Sequence, residues 1–421
     1  MGKAWSWLTT RGRGFLVTGL VVVGITWVLG ERDLVWIGLL LIALPISALI
    51  VVGRSRLRLG CDRAADPPQI ALGHETLGRI GLIKQGGLPT GLLQFEDSVP
   101  GQLGRPVRFL VHRGAGAWKR AISYRMRGTS RGLFETGPLL VRASDPFGMV
   151  RVDRQFTART PVLVTPVVEP LGSMSTAHGA GISGSATSQR SGLLGADDVL
   201  VREYRTGDDV RRIHWRSTAR TRRMMVRREE QAWDPAVVIL LDSRERAHVG
   251  TGPASSFEWA VSAAASIAVH FLSAGFAVEL LDASGPIGFA DGRPRRLENA
   301  QDALTRLTHV KLEGRRTLAR PVEELLHAAQ GPLLIAVLGH FDGADAAELV
   351  MAGRQQGRCL AVSLDGNTFA AAQDQRESDG DAGPAAAVVL REARWRVVKA
   401  SRGQSIASVW AELERLGEGR S

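Results

Sequence analysis

Residues 14–53 read GFLVTGLVVVGITWVLG, then ERD, then LVWIGLLLIALPISALIVVG. The two apolar runs, 14–30 and 34–53, carry no charge. Each approaches the roughly 20 residues that an α-helix needs to cross about 30 Å of hydrocarbon. Glu31-Arg32-Asp33 leaves room only for a tight turn, and Trp27 and Trp36 flank it where aromatic belts form. The pattern predicts a transmembrane helical hairpin within residues 1–56. Lys3, Arg11 and Arg13 precede the first run and Arg54, Arg56 and Arg58 follow the second. The positive-inside rule then places both termini in the cytosol, as in a multi-pass protein of a bacterial inner membrane. A cleaved signal peptide fits less well, because a charged turn and a second full span replace the small-residue cleavage site. Pro45 is tolerable there, since a neighbouring helix can satisfy the freed carbonyl.

Outward from the hairpin, 421 residues leave room for two further domains. Residues 57–170 carry short alternating apolar and polar stretches broken by Gly and Pro: 78–83, 106–111, 121–126, 139–143, 149–152 and 162–168. Period-two patterning at this spacing predicts an all-β sandwich of immunoglobulin-like type. Residues 171–197, rich in Gly, Ser, Thr and Ala, have too little apolar surface to order themselves and predict a flexible connector. From 235 to 421 continuous apolar strands (236–241, 276–282, 333–338, 359–364, 395–399) alternate with helical stretches (256–273, 297–307, 322–329, 344–356, 405–416). That alternation predicts a doubly wound α/β domain with a parallel sheet covered on both faces. Ligands of such sheets sit at the carboxyl ends of the strands, where Asp242 and Asp342 fall.

The net charge of +11 is concentrated. Residues 1–58 hold seven basic side chains against two acidic, residues 202–228 hold ten Arg against three acids, and the remainder is close to neutral. One excess orients the anchor and the other belongs to a single segment, so no broad basic face for nucleic acid is expected. Two cysteines, Cys61 and Cys359, give neither a disulfide framework nor metal-ligand spacing, in keeping with a reducing compartment. Arg in place of Lys suggests a bacterium of high-GC genome. No phosphate-cradling loop occurs: Gly179-Ala180-Gly181 lacks the strand and helix such a loop joins, so no cofactor is expected.

Two passages carry a family signature: Arg131-Gly132 with Gly137-Pro138 and Asp145-Pro146-Phe147-Gly148, and a segment at 198–234 built on Arg202-Glu203-Tyr204-Arg205-Thr206-Gly207-Asp208-Asp209 and Arg211-Arg212-Ile213-His214-Trp215. From about Leu57 to Asp242 the chain resembles domain-of-unknown-function family 58. The resemblance implies a β-sandwich joined to a domain similar to the von Willebrand factor A type, in bacterial membrane proteins associated with MoxR-type AAA+ ATPases. It implies no established enzymatic activity. The expected role is a non-enzymatic scaffold or adaptor binding a protein partner in envelope-related assembly or maturation.

Von Willebrand factor A-like domains hold a metal ion with an Asp followed by Ser two and four places on. Here those places are Arg244 and Arg246, in the segment Asp242-Ser243-Arg244-Glu245-Arg246. A guanidinium repels a cation and cannot ligate it. Arg244 is therefore expected to replace the ion between Asp242 and Asp342, leaving a degenerate site at Asp242, Ser243, Arg244 and Asp342. The density of Arg202, Arg205, Arg211, Arg212 and Arg216 beside Glu203, Asp208 and Asp209 makes paired guanidinium and carboxylate groups the expectation, with Ile213 and Trp215 packed as anchors. Arg left unpaired there could grip an acidic partner or anionic lipid. The competing reading is a metal-dependent hydrolase using Asp242, Asp342 and His214. It lacks an accompanying nucleophile and the hydroxyl ligands.

Overall fold

The computed structural model describes residues 2–30, 32–54, 59–85, 92–111, 117–145, 147–172, 201–204, 213, 215–227, 236–288, 296–327, 333–370 and 382–418. The chain divides into two units, Met1–Thr165 and Pro166–Ser421.

The first unit opens with three helices, Gly2–Trp7 (α1), Thr10–Leu29 (α2) and Arg32–Arg54 (α3). Thr9 caps α2 by accepting the Gly12 N–H at 3.2 Å, and Gly30 ends it in the left-handed conformation that only Gly adopts cheaply. At 1.5 Å per residue α2 spans about 30 Å. Its apolar side chains, such as Leu20 and Ile25, are exposed, as are Leu40 and Ile50 on α3. The two helices pack at a close crossing, where a Cβ on Gly19 would come within 2.9 Å of the Gly38 carbonyl oxygen. Two helices long and apolar enough to cross a membrane thus stand where the sequence places them.

Beyond them come the strands Leu59–Asp66 (β1), Gln69–Ala71 (β2), Glu75–Lys84 (β3), Leu92–Asp97 (β4), Val107–Val111 (β5), Trp118–Arg127 (β6), Gly132–Thr136 (β7), Leu139–Ser144 (β8), Arg151–Phe156 (β9) and Thr160–Thr165 (β10). One antiparallel sheet runs β1-β3-β6 and another β5-β4-β8-β9, while β10 joins β2 in parallel and β7 antiparallel. Ile80 and Leu82 from the first sheet meet Leu93, Phe95, Val141 and Ala143 from the second in a shared buried core. Alternate residues of β3 are buried, as a strand with one core face requires. Inside this core Arg63 grips Asp97 with two bonds of 2.6 and 3.0 Å, and the Tyr124 hydroxyl donates to the same carboxylate at 2.5 Å. A second cluster, of Leu8, Ala48, Met149, Val150 and Val152, ties the base of the helix pair to β9 and the turn before it.

In the second unit Val201–Glu203 (β11) pairs antiparallel with Met225–Arg227 (β12), and the helix Trp215–Thr221 (α4) lies between them in sequence. The main sheet follows: Ala236–Leu241 (β13), Ala277–Asp282 (β14), Gly285–Pro286 (β15), Leu333–Leu338 (β16), Arg358–Leu364 (β17) and Arg396–Ala400 (β18), in the order β15-β14-β13-β16-β17-β18. All its pairings are parallel except β14 with β15. Its helices are Ser256–Ser273 (α5), Ala300–His309 (α6), Ala319–His327 (α7), Gly343–Gly353 (α8), the single turn Gly366–Phe369 (α9), Ala382–Glu392 (α10) and Ile406–Glu418 (α11). Val237, Ile239 and Leu241 face α5, α6 and α11, whereas Val238 and Leu240 face α7, α8 and α10. Every residue of β13, β14 and β16 is buried, so the apolar runs are continuous because both faces are covered.

The unit boundaries depart from the sequence reading. The α/β unit takes in residues from Pro166 onward, not from 235. Val168 and Leu171 pack on its core, Glu169 accepts the Ala407 N–H at 3.1 Å, and Trp410 donates to the Gly172 carbonyl at 3.3 Å. The first two residues of the expected connector are therefore pinned to α11, because Leu171 supplies apolar surface that the Gly/Ser-rich run after it lacks. Residues 173–197 lie outside the described residues.

Candidate active-site position at the central strand

β13 is the central strand at which the sheet order reverses, β14 lying on one side and β16 on the other. In open α/β sheets the crevice beyond the carboxyl end of such a strand is where ligands bind. Here that position is filled by the protein itself. Arg244, three residues past the end of β13 and in extended conformation, is 0% exposed. Its Nε and Nη2 donate to the two oxygens of Asp242, both at 2.9 Å. Its Nη1 donates to Asp345 Oδ1 at 2.7 Å and to the Arg316 carbonyl at 3.3 Å. The fork-to-fork pair with Asp242 is the geometry a planar guanidinium favours.

The local chain is fastened on every side. Asp242 N–H donates to the Val337 carbonyl at 2.9 Å, Ser243 carbonyl accepts from Glu313 N–H at 2.7 Å, and Glu245 N–H returns to the Glu313 carbonyl at 2.8 Å. Ser243 Oγ accepts the Ala283 N–H at 3.1 Å, so this hydroxyl is committed to the end of β14. The His248 ring spans the Asp242 carbonyl, 2.7 Å from Nε2, and Ser256 Oγ, 3.1 Å from Nδ1. A carbonyl only accepts, which assigns the proton to Nε2.

Charge follows from burial and pairing. Burial alone would lower the Arg244 pKa, but its bonds to Asp242 and then Asp345 outweigh that and raise it, so the guanidinium stays charged. Burial lowers the His248 pKa and prevails over the upward pull of Asp242. Burial, aided by the charge of Asp345, raises the carboxyl of Glu348.

One part of the expected constellation is corrected. The second carboxylate on Arg244 is Asp345, not Asp342. Asp342 is the N-cap of α8, accepting the N–H groups of Ala344 and Asp345, both at 3.0 Å. The Asp345 N–H, opposed by partial burial and aided by Arg246, holds its carboxyl below the usual range. Its nearest cation is Arg246 Nη1 at 3.8 Å, and Arg246 also reaches Asp345 at 3.2 Å. The cap's lone pairs are spent on the helix start, and the carboxylate one turn later is the one that reaches the strand end. Among the described residues no group of three or more His, Cys, Asp and Glu side chains is placed to hold a metal ion.

The Arg-rich signature is only partly in view. Arg205, Gly207, Asp208, Asp209, Arg211, Arg212 and His214 lie outside the described residues, and for Arg202 and Glu203 only their place on β11 is described. Tyr204 is half-buried and its N–H donates to the Met224 carbonyl at 2.8 Å. Ile213 is half-buried and bridges to Val226. Trp215 departs from its expected role as a packed anchor: it starts α4 and is 69% exposed. On its own short helix, three polar residues follow Trp215 and the small Ala219, four residues on, is the one apolar side chain beside it.

Residues 200–368 match the family described as "Protein of unknown function DUF58". No curated protein matches the chain. Among solved structures, an alkylpurine DNA glycosylase, AlkC, from Pseudomonas fluorescens, bound to DNA with an abasic-site analogue, aligns at 15% identity and TM-score 0.16. That alignment covers 29% of this chain and 38% of the glycosylase. Cwp6 from Clostridium difficile aligns at 8% identity and TM-score 0.18, covering 84% of this chain and 55% of its own. The chain thus spans less than two thirds of either protein, and neither score marks a shared fold.

Proposed function

Because residues 200–368 match the family described as DUF58, we propose that the chain is a membrane-anchored, non-enzymatic adaptor of the bacterial inner membrane. The carrying observation is Arg244, wholly buried across Asp242 and Asp345 where an α/β sheet would otherwise bind its ligand. We read the α/β unit as von Willebrand factor A-like with its ion replaced by an internal cation, and the all-β part of the first unit, β1 to β10, as an immunoglobulin-like spacer. The apolar helices α2 and α3 supply the anchor, and basic flanks hold both termini in the cytosol. What is left to the α/β unit is surface recognition. Exposed Trp215 within an Arg-rich segment is the residue pairing that dominates protein interfaces. The partner is an acidic protein surface, with a MoxR-type AAA+ ATPase as the specific candidate, in envelope-related assembly or maturation.

The competing metal-dependent hydrolase draws little support. Asp242 is committed to Arg244 and Asp342 caps α8. Crosslinking and affinity capture of the full chain from native membranes, beside Arg211→Ala/Arg212→Ala, tests the reading. An AAA+ ATPase recovered with the unsubstituted chain and lost with the variant supports it. Absence of any such ATPase from both removes that partner, and turnover of a hydrolysable substrate by the purified chain removes the non-enzymatic role.

A further inference from the structure

The turn between β8 and β9 is fastened to the first residues of α2. Thr9 N–H donates to the Met149 carbonyl at 2.9 Å and Thr9 Oγ1 to the Gly148 carbonyl at 2.7 Å. Leu8 bridges to Val150, and a Cβ on Gly12 would overlap the Met149 carbonyl oxygen. Phe147 precedes Gly148, and consecutive Cα atoms are about 3.8 Å apart, so Phe147 lies within about 10 Å of the residue that caps the apolar helix. Its ring is nonetheless 62% exposed. The turn presents it rigidly: buried Asp145 accepts the N–H of Phe147 at 3.0 Å and of Val150 at 2.6 Å. At the same end of α2, Trp5 is exposed with the Arg13 guanidinium 5.5 Å above its ring, and Arg11 and Arg13 are exposed. Exposed aromatic rings beside exposed guanidinium groups, level with the start of an apolar span, have the composition of a membrane interface.

We propose that Phe147 is a membrane-contact residue, seated by its turn in the headgroup layer of an anionic bilayer beside Trp5, Arg11 and Arg13. This rests on α2 and α3 spanning that bilayer. The contact fixes the β-strands of the first unit at the surface: β8 runs away from the turn for about 20 Å, at about 3.3 Å per residue, toward the loop holding Ser98, whose N–H donates to Pro138 carbonyl at 3.3 Å. A protein tethered only by two helices would lack this third point of attachment.

The test uses the full chain carrying Cys61→Ala and Cys359→Ala, with one of three further substitutions labelled by an environment-sensitive fluorophore: Phe147→Cys, Gln102→Cys in the distal loop, or Leu20→Cys within α2. Phe147 and Gln102 are exposed and Asp145 holds the turn through backbone groups, so these substitutions leave the fold intact. The chains are reconstituted in vesicles of phosphatidylglycerol and phosphatidylcholine containing nitroxide lipids. A shallow nitroxide is expected to quench the Phe147→Cys label several-fold more than the Gln102→Cys label, with iodide accessibility reversed, and a deep nitroxide to quench the Leu20→Cys label. Loss of the shallow quenching in pure phosphatidylcholine is also expected. If Leu20→Cys is lipid-quenched while Phe147→Cys behaves like Gln102→Cys, the contact is refuted and the anchor stands. If none is lipid-quenched, the anchor itself fails. A Phe147→Cys label shielded from both nitroxide and iodide means that protein covers the ring, which also overturns the proposal.

Discussion

Replacing Arg244 by Leu removes the guanidinium that pairs with both oxygens of Asp242. Asp345 keeps Arg246 at 3.2 Å, but among the described residues the carboxylate of Asp242, fully buried, retains only the backbone N–H of residue 244 at 3.1 Å. Breaking a buried ion pair from one side typically costs about 3 to 5 kcal/mol, because the surviving charge is left without compensation. Against a total domain stability of about 5 to 15 kcal/mol this is a large fraction. At about 1.4 kcal/mol per tenfold, the population of opened β13 rises by roughly two to three and a half orders of magnitude. Hydrogen exchange of the full chain in detergent reads this directly as lost protection over 236–241 and 333–338. Adding Asp242→Asn to Arg244→Leu should return most of the protection, since no buried charge is then unpaired. A loss below about 1 kcal/mol, the range of exposed pairs, would refute the reasoning.

Two other outcomes follow from buried groups. Asp97→Ala strands the Arg63 guanidinium inside the two-sheet core, where Asp97 supplies both its short bonds, and should lower unfolding stability by about 3 to 5 kcal/mol. Asp97→Asn, which still accepts a bond, should lose less. Urea unfolding of the two variants showing equal, small losses would contradict the pair's role. His248 gives a pH signature. Its folded pKa is lowered by burial while the unfolded ring titrates near about 6.5, so the unfolded state binds the proton first. The stability it contributes is full above about 6.5 and is lost as pH falls toward the lowered folded value. Urea midpoints should therefore drop from pH 7.5 to 5.5 with a slope that His248→Asn reduces, and an unchanged slope in the variant would count against it.

Much of this architecture can be read from local chemistry. The uncharged runs 14–30 and 34–53 mark α2 and α3. Both helices start a few residues earlier, because helix hydrogen bonding does not stop at the first charge, while α2 ends at Leu29 where Gly30 turns left-handed. Strands buried on both faces, such as 236–241 and 333–338, stand out as continuous apolar runs. Strands with one half-covered face do not: β1, of sequence LGCDRAAD, alternates half-buried and exposed positions and offers no apolar period. Helix starts were blurred where a strand-like contact precedes the cap, as when Leu297 bridges to Val278 before Asn299 opens α6. At the site, Asp242 with Arg244 was legible as a carboxylate two residues from a guanidinium. Asp345 was not, because choosing between Asp342 and Asp345 needs the direction of the first turn of α8. The pair Asp342-x-x-Asp345 was a visible capping-box signal and could have assigned Asp342 to the cap. The contributions of His248 and Ser256 depend on two elements meeting and leave no local trace.

The account turns on whether the position between Asp242 and Asp345 is open to a divalent ion. Isothermal titration of Mn²⁺ into the purified full chain measures this most directly. Arg244 in that position predicts no saturable heat, with or without Asp242→Ala. Saturable Mn²⁺ binding that Asp242→Ala abolishes would contradict it.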